Sequence, residues 1–177
     1  MRPARPLAVL LLLALVLPVA AACGSSHGPR VWAASVCTTL SPWRTEIGSL
    51  TSRAQQQMDV ATTPGQAKEN LARLFSGAHD ASERARAGVL KAGVPDVDDG
   101  QRIADGFTTA LAAMRDAYGR AASGIDGLAT APAKTFYAQV AEVVDKLNAD
   151  YEASSLDTSK LSSAELKAAF DEVPECR

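Results

Sequence analysis

Apolar side chains recur every three or four residues in four long segments of this chain, and turns containing Gly and Pro separate these segments. An α-helix brings residues three and four apart onto one face, so each segment presents an apolar stripe that must pack against another element. No segment alternates apolar and polar residues as a half-buried strand does, so we predict no strand. Four amphipathic helices with short connections favour an all-α, antiparallel up-down four-helix bundle.

Turn and capping residues mark the ends of the first two helices. The first stripe covers residues 36–61, and Pro42 inside it predicts a kink or a short break. Thr63 and Gln66 form a capping box, in which each side chain satisfies a free backbone N–H of the other residue. The second helix is therefore expected to begin beside Thr63 and to end at the Gly-Val-Pro sequence of residues 93–95.

Similar signals mark the remaining helices. Three carboxylates suit the N-terminus of the third helix, because they accept hydrogen bonds from free N–H groups and face the positive end of the dipole: Asp96, Asp98 and Asp99. The fourth helix is expected to open near Pro132. Ser162 and Glu165 predict a capping box for a short fifth helix, which Pro174 ends.

The first 22 residues have the layout of a secretory signal peptide. Arg2 and Arg5 precede an apolar run over residues 7–19, and three alanines follow before Cys23. The run is shorter than the roughly 20 residues that a membrane-spanning helix needs. We therefore expect export, with residues 1–22 removed, residues 23–30 as a polar tether and residues 31–177 as one helical domain.

The position of Cys23, directly after three alanines, resembles the lipobox of bacterial lipoproteins. The composition resembles that of the small, alanine-rich secreted lipoproteins of actinobacteria. The lipobox resemblance implies that Cys23 receives a diacylglyceryl group, which anchors the chain at the extracytoplasmic face of the cell membrane. Ala20 stands where lipoboxes most often have leucine, and Ala20 with Ala22 also satisfies ordinary signal cleavage. The alternative is therefore a soluble secreted protein with a free Cys23.

The cysteine count is odd, at three. If Cys23 is lipidated, Cys37 and Cys176 remain as an even pair, which predicts a disulfide in an oxidising compartment. The start of the first helix and the end of the fourth lie at the same end of an up-down bundle, so the two cysteines can meet there. The competing pair, Cys23 with Cys37, would leave Cys176 single.

Charge excludes several classes of partner. The formal net charge is −2, and loss of Arg2 and Arg5 with the signal peptide makes it −4. A mildly acidic protein without a basic block does not bind nucleic acid or anionic lipid by charge alone. We expect no nucleic-acid partner, and contact with the membrane only through the lipid on Cys23.

The sequence offers only weak candidates for a chemical site. The acidic turn at residues 96–100 lacks the third acidic position of a calcium loop and has Phe107 where a bidentate Glu belongs. His79 with Asp80 or Glu83 gives fewer ligands than the roughly four of a structural zinc site. Nucleophile-elbow, metalloprotease, P-loop and dinucleotide-binding patterns are all missing from the sequence. We expect a non-enzymatic protein without a metal or cofactor.

Aromatic residues on the stripes are predicted to form the core: Trp43, Tyr118, Phe136 and Tyr151. Trp32 and Tyr137 stand beside the stripes; core or edge packing is the expected role of both, and a groove or partner contact is the alternative.

Two functions fit these observations. The leading hypothesis is a protein-binding or scaffolding module at the outer face of the cell envelope, with an unidentified envelope protein as partner. The alternative is a carrier that holds a small apolar or lipid-like ligand between its helices, where bundles commonly place such sites. A transporter-type substrate-binding lipoprotein fits less well, because such proteins generally have two α/β lobes and a longer chain.

Overall fold

The computed structural model describes residues 26–58, 62–154 and 161–177. It contains five α-helices, followed by a single 3₁₀ turn over Pro174–Cys176. The helices are α1 (Pro29–Met58), α2 (Pro64–Lys91), α3 (Gly100–Asp126), α4 (Ala133–Ser154) and α5 (Ala164–Glu172). A disulfide joins Cys37 to Cys176. The predicted up-down bundle with a short fifth helix and a disulfide is confirmed; the signal peptide and Cys23 lie outside the described residues.

The fourth side of the bundle is shared by α4 and α5. α2 packs against α3 along its length, α1 packs on α2, and α4 packs on α3. α4 covers the second half of α3, where Arg120 contacts Asp150 at 2.8 Å. α5 begins beside the start of α3, where Arg102 donates to Ser162 (3.3 Å), and ends against α1, where Glu172 pairs with Arg30. The end of α4 therefore lies beside the middle of α3, whereas the end of α5 lies beside the start of α1.

Two apolar clusters form the core. The cluster at the disulfide end joins α1, α2, α3 and α5 around Trp32, which is fully buried. The indole of Trp32 makes edge contacts with Phe107 and Phe170, at centroid distances of 5.3 and 6.1 Å, and its Nε1 donates to the Gly93 carbonyl at 2.9 Å. The second cluster lies toward the distal tip; its buried residues come from α2 and α3, and apolar side chains of α1 and α4 pack against them.

The helix caps agree with the sequence at one position and differ at two. The capping box of Thr63 and Gln66 is confirmed. Ser163, not Ser162, caps α5, since its hydroxyl accepts from Leu166 N–H at 3.1 Å. Asp99 precedes α3 but makes no side-chain cap, because its left-handed backbone (φ 61°) differs from the extended conformation of an N-cap and its carboxylate accepts from Arg102.

The N-terminal side of the described chain differs most from the prediction. Ser26–His27 (β1) pairs in parallel with Val94–Pro95 (β2), and Asp96 N–H donates to the His27 carbonyl at 2.8 Å. Two-residue strands are too short to show alternation in a sequence. The turn ends at Gly100. Only glycine fits at this position, because a Cβ there would lie 2.1 Å from the Pro95 oxygen. Part of the predicted tether thus joins the fold.

Pro42 does not interrupt α1. The helix is continuous over Pro29–Met58, so the short break predicted at this proline is not found. Packing of the flanking stripe compensates for the proline: Leu40 belongs to the first core cluster, and Trp43 packs against it and donates from Nε1 to Ser82 Oγ at 3.2 Å.

Glu83 on α2 binds two arginines, Arg86 on the same helix and Arg115 on α3, and so joins the two helices. Its carboxylate accepts from Arg86 Nε and Nη2 at 2.9 and 2.7 Å and from Arg115 Nη1 at 2.8 Å. The hydrogen bond from Arg86, followed by that from Arg115, lowers the pKa of Glu83 from 4.5 to about 2. A carboxyl whose pKa is lower in the folded than in the unfolded state stabilises the fold above the unfolded value, and this contribution is lost as the pH falls through the folded value.

We therefore expect Glu83→Gln to lower the urea midpoint at pH 6 and to have progressively less effect as the pH falls from about 4.5 to about 2. Urea unfolding of both proteins across this range measures the effect. Glu142→Gln, which removes an exposed carboxylate of α4, is the control and should follow the wild type at each pH. A deficit for Glu83→Gln that stays constant down to pH 2 would contradict this assignment.

Candidate functional site

An open groove of about 920 Å³ lies where α1 and α3 are left uncovered between the C-terminal ends of α4 and α5. We call it the central groove. It is formed by residues 37–48 of α1, 107–118 of α3, 151–152 of α4 and 170–176 at the C-terminus. Among the described residues, α4 ends at Ser154 and α5 occupies only the other half of the same side.

Aromatic side chains line much of the central groove: Trp43, Phe107, Tyr118, Tyr151 and Phe170. Phe107 and Phe170 stack at a centroid distance of 6.0 Å. Burial, followed by the nearby Tyr151, raises the pKa of the Tyr118 phenol, so this hydroxyl remains neutral. Neither tyrosine hydroxyl hydrogen-bonds to another residue of the described chain. The groove thus offers an apolar surface with two free hydroxyl groups.

Three charged side chains lie at the central groove: Arg44 on α1, Glu152 on α4 and Asp171 on α5. None of them forms an ion pair within the described residues. Arg177 donates to the main-chain oxygen of Asp171 at 3.2 Å, which leaves the carboxylate of Asp171 unpaired. All three are exposed and can contact a molecule bound in the groove.

Gly48 keeps one edge of the central groove open. It follows Arg44 by four residues, so both lie on the same side of α1. A Cβ built at Gly48 would have no atom within 4 Å, apart from its own helix backbone and chain neighbours. Packing therefore does not require a glycine here.

The disulfide forms one wall of the central groove. Cys37 and Cys176 both line it, and their Cα atoms are 5.0 Å apart. The bond holds the final 3₁₀ turn against α1 and so fixes the position of the C-terminal side of the groove.

The two aromatic residues that the sequence set apart are not in the central groove. Trp32 is a core residue, so its expected core packing is confirmed and the alternative of a groove or partner contact is wrong. Its indole is covered by Phe107 and Phe170, which are distant in sequence. Tyr137 is 42% exposed and lies at the distal tip, where its hydroxyl donates to the Thr62 carbonyl at 3.3 Å.

The weak metal candidates gain no support. His79 Nδ1 lies 2.9 Å from Asp80 Oδ1, while Glu83 is engaged by its two arginines. In the ranges that the structure describes, no cluster of three or more His, Cys, Asp or Glu side chains is arranged to hold a metal ion.

The core assignment is confirmed for Tyr118, which is buried in the second cluster, and Trp43 packs against the first cluster, whereas Tyr151 is 48% exposed. Sequence reasoning missed that all three also line the groove. These residues do lie on apolar stripes, but the stripes of α1 and α4 do not pack against each other at the central groove. The sequence of α1 did contain a signal for the groove. Arg44 and Gly48, which lie one turn apart, interrupt one edge of its otherwise apolar stripe.

No protein-family model, curated protein or solved structure shows significant similarity to this chain. None of the helices within the described ranges is long and apolar enough to span a membrane.

Proposed function

We propose that this protein is an exported, lipid-anchored binding protein that holds a small, largely apolar molecule in the central groove. The observation that carries the proposal is the groove itself. Its volume of about 920 Å³ falls within the range of roughly 300 to 1,000 Å³ typical of small-molecule sites, and aromatic walls with a few polar groups are also typical of them. Export and the anchor come from the sequence of residues 1–23. The proposal assigns binding, with no catalytic step.

The groove favours this function over the scaffolding module. The large exposed apolar side chains outside the groove lie near opposite ends of the bundle, with Val31 and Leu90 at one end and Met58 and Tyr137 at the other. They therefore do not share one surface of the kind that a protein partner would cover. The apolar surface at the central groove is concave and continuous, which suits a small molecule better.

Gly48 supports the same conclusion. A glycine inside a helix costs about 1 kcal/mol relative to alanine, and a structural reason usually accounts for it. No neighbouring side chain or facing helix backbone crowds this position. A side chain there would occupy the edge of the groove, so glycine at this position leaves the groove accessible to a ligand.

We expect Gly48→Phe to weaken binding of an uncharged fluorescent probe, N-phenyl-1-naphthylamine, by at least about tenfold, which corresponds to 1.4 kcal/mol. The added ring would fill part of the groove without displacing any atom. Fluorescence titration of the purified protein gives the affinity, and circular dichroism with urea unfolding verifies the fold.

Gly106→Phe is the matched control. It makes the same change inside α3, where a Cβ also meets nothing within 4 Å, at a position outside the groove. It should bind the probe as the wild type does. A folded Gly48→Phe protein with unchanged affinity, or a wild type that binds no probe, would refute the proposed function. Native mass spectrometry of protein purified from its own cells should also reveal a co-purified small molecule.

A further inference from the structure

We infer that the molecule held in the central groove carries a positive charge on its apolar body. This inference rests on the proposed function and narrows its ligand class. Two carboxylates, Glu152 and Asp171, and one guanidinium, Arg44, are the charged side chains that line the groove. None of the three has an ion-pair partner among the described residues, so a bound ligand would meet an excess of one negative charge.

The positions of the two carboxylates strengthen this electrostatic preference. Glu152 lies in the last turn of α4, which ends at Ser154, and Asp171 lies in the last turn of α5, which ends at Glu172. The C-terminal end of a helix carries a partial negative charge and is stabilised by cations. Neither helix has a basic residue in its last turn. Two helix ends and two carboxylates therefore face one groove.

Arg177 reduces this negative potential only in part. It donates to the main-chain oxygen of Asp171 and so compensates the end of α5, but its hydrogen bond is not to the carboxylate. The end of α4 has no charged donor within the described chain; the neutral Ser154 hydroxyl donates there, to the Tyr151 carbonyl at 2.7 Å. A cationic group on the ligand would supply the missing charge for both carboxylates.

The aromatic walls favour the same ligand. The faces of Trp, Tyr and Phe rings are electron-rich and attract a cation that lies against them, whereas they do not attract an anion. Trp43, Tyr118 and Tyr151 line the groove together with the charged residues. Desolvation of an ammonium group in the groove is thus offset by both carboxylates and ring faces. An apolar chain or ring system bearing an amine or quaternary ammonium group fits this combination.

Three probes with the same eight-carbon chain test the charge preference: octyltrimethylammonium, octanoate and 1-octanol. Their affinities for the wild type are measured by isothermal titration calorimetry at low ionic strength, below any aggregation concentration. We expect the cation to bind about tenfold more tightly than the alcohol, and octanoate to bind most weakly.

A pair of double variants locates the effect. Glu152→Gln with Asp171→Asn should weaken octyltrimethylammonium binding about tenfold and leave 1-octanol unchanged. Glu142→Gln with Asp126→Asn is the control, because it removes two exposed carboxylates outside the groove and changes the net charge equally. This control should bind all three probes as the wild type does.

The outcomes separate the inference from the proposed function. Equal affinity for the cation and the alcohol, or equal loss of cation binding in both double variants, would overturn the inference and leave the groove as an apolar site. Tightest binding of octanoate, lost in Arg44→Gln, would overturn it in favour of an anionic ligand. Failure of all three probes to bind the folded wild type would overturn both the inference and the proposed function.

Discussion

The double variant Cys37→Ala with Cys176→Ala is expected to lose about 4 to 5 kcal/mol of the free energy of unfolding. The disulfide spans 139 residues of sequence, so it removes a large amount of conformational entropy from the unfolded chain. The folded state loses little by comparison, because Cys37 is buried among apolar neighbours and alanine leaves no polar atom without a partner there. Urea unfolding of oxidised wild type and variant measures the difference.

Reductant provides the internal control for this prediction. Reduction should bring the wild type close to the stability of the double variant and leave the variant unchanged. Because the bond also forms a wall of the central groove, both treatments should weaken probe binding. A loss of stability below about 1 kcal/mol would contradict the loop-entropy argument.

Trp32→Ala is expected to destabilise the fold by about 3 to 5 kcal/mol, the cost of removing a large aromatic side chain from a packed core. The substitution opens a cavity between α1, α3 and α5 and leaves the Gly93 carbonyl without its indole donor. Trp32→Phe should cost less, because it keeps much of the ring volume while losing the hydrogen bond. Urea unfolding gives the free energy for each variant.

The neighbouring Val31→Ala is the matched control for Trp32. Val31 lies on the same turn of α1 but is 56% exposed, so its truncation should change stability by less than about 0.5 kcal/mol. If Trp32→Ala cost no more than Val31→Ala, the first core cluster would not depend on this indole, in conflict with its contacts to Phe107 and Phe170.

The sequence predicts the helices of this fold well because each stripe depends on local spacing. Apolar residues at intervals of three and four, with the cap at Thr63 and the stop at residues 93–95, determine where α2 lies without knowledge of any partner. The disulfide was also predictable, since the expected lipidation of Cys23 would leave Cys37 and Cys176 as an even pair. These inferences need only spacing, turn chemistry and compartment.

The features that the sequence did not predict depend on contacts between distant residues. The sequence left a partner contact open as the alternative to core packing for Trp32, because periodicity within α1 carries no information about Gly93, Phe107 and Phe170, which surround its indole. Asp99 fails as a cap because the strand pairing of His27 with Pro95 shapes the turn before α3. Local propensity gives way to tertiary geometry at both places.

The central groove follows from helix length, which the sequence did contain. α4 has 22 residues, whereas α1, α2 and α3 have 30, 28 and 27. At about 1.5 Å per residue, the described part of α4 is roughly 10 Å shorter than its neighbours. α5 fills only part of that side, because it crosses from α3 to α1. Comparison of the segment lengths would have indicated an opening, though not its lining.

If the chain is anchored through Cys23, the length of α1 also determines how far the central groove lies from the membrane surface. Arg44 and Gly48 follow the start of the helix at Pro29 by 15 and 19 residues, which places them roughly 20 to 30 Å along its axis. With the bundle standing on its disulfide end, this height exceeds the Debye length of about 8 Å at physiological ionic strength. The surface potential of the bilayer is screened at that height, so a ligand would reach the groove through water and encounter only the charges of the protein.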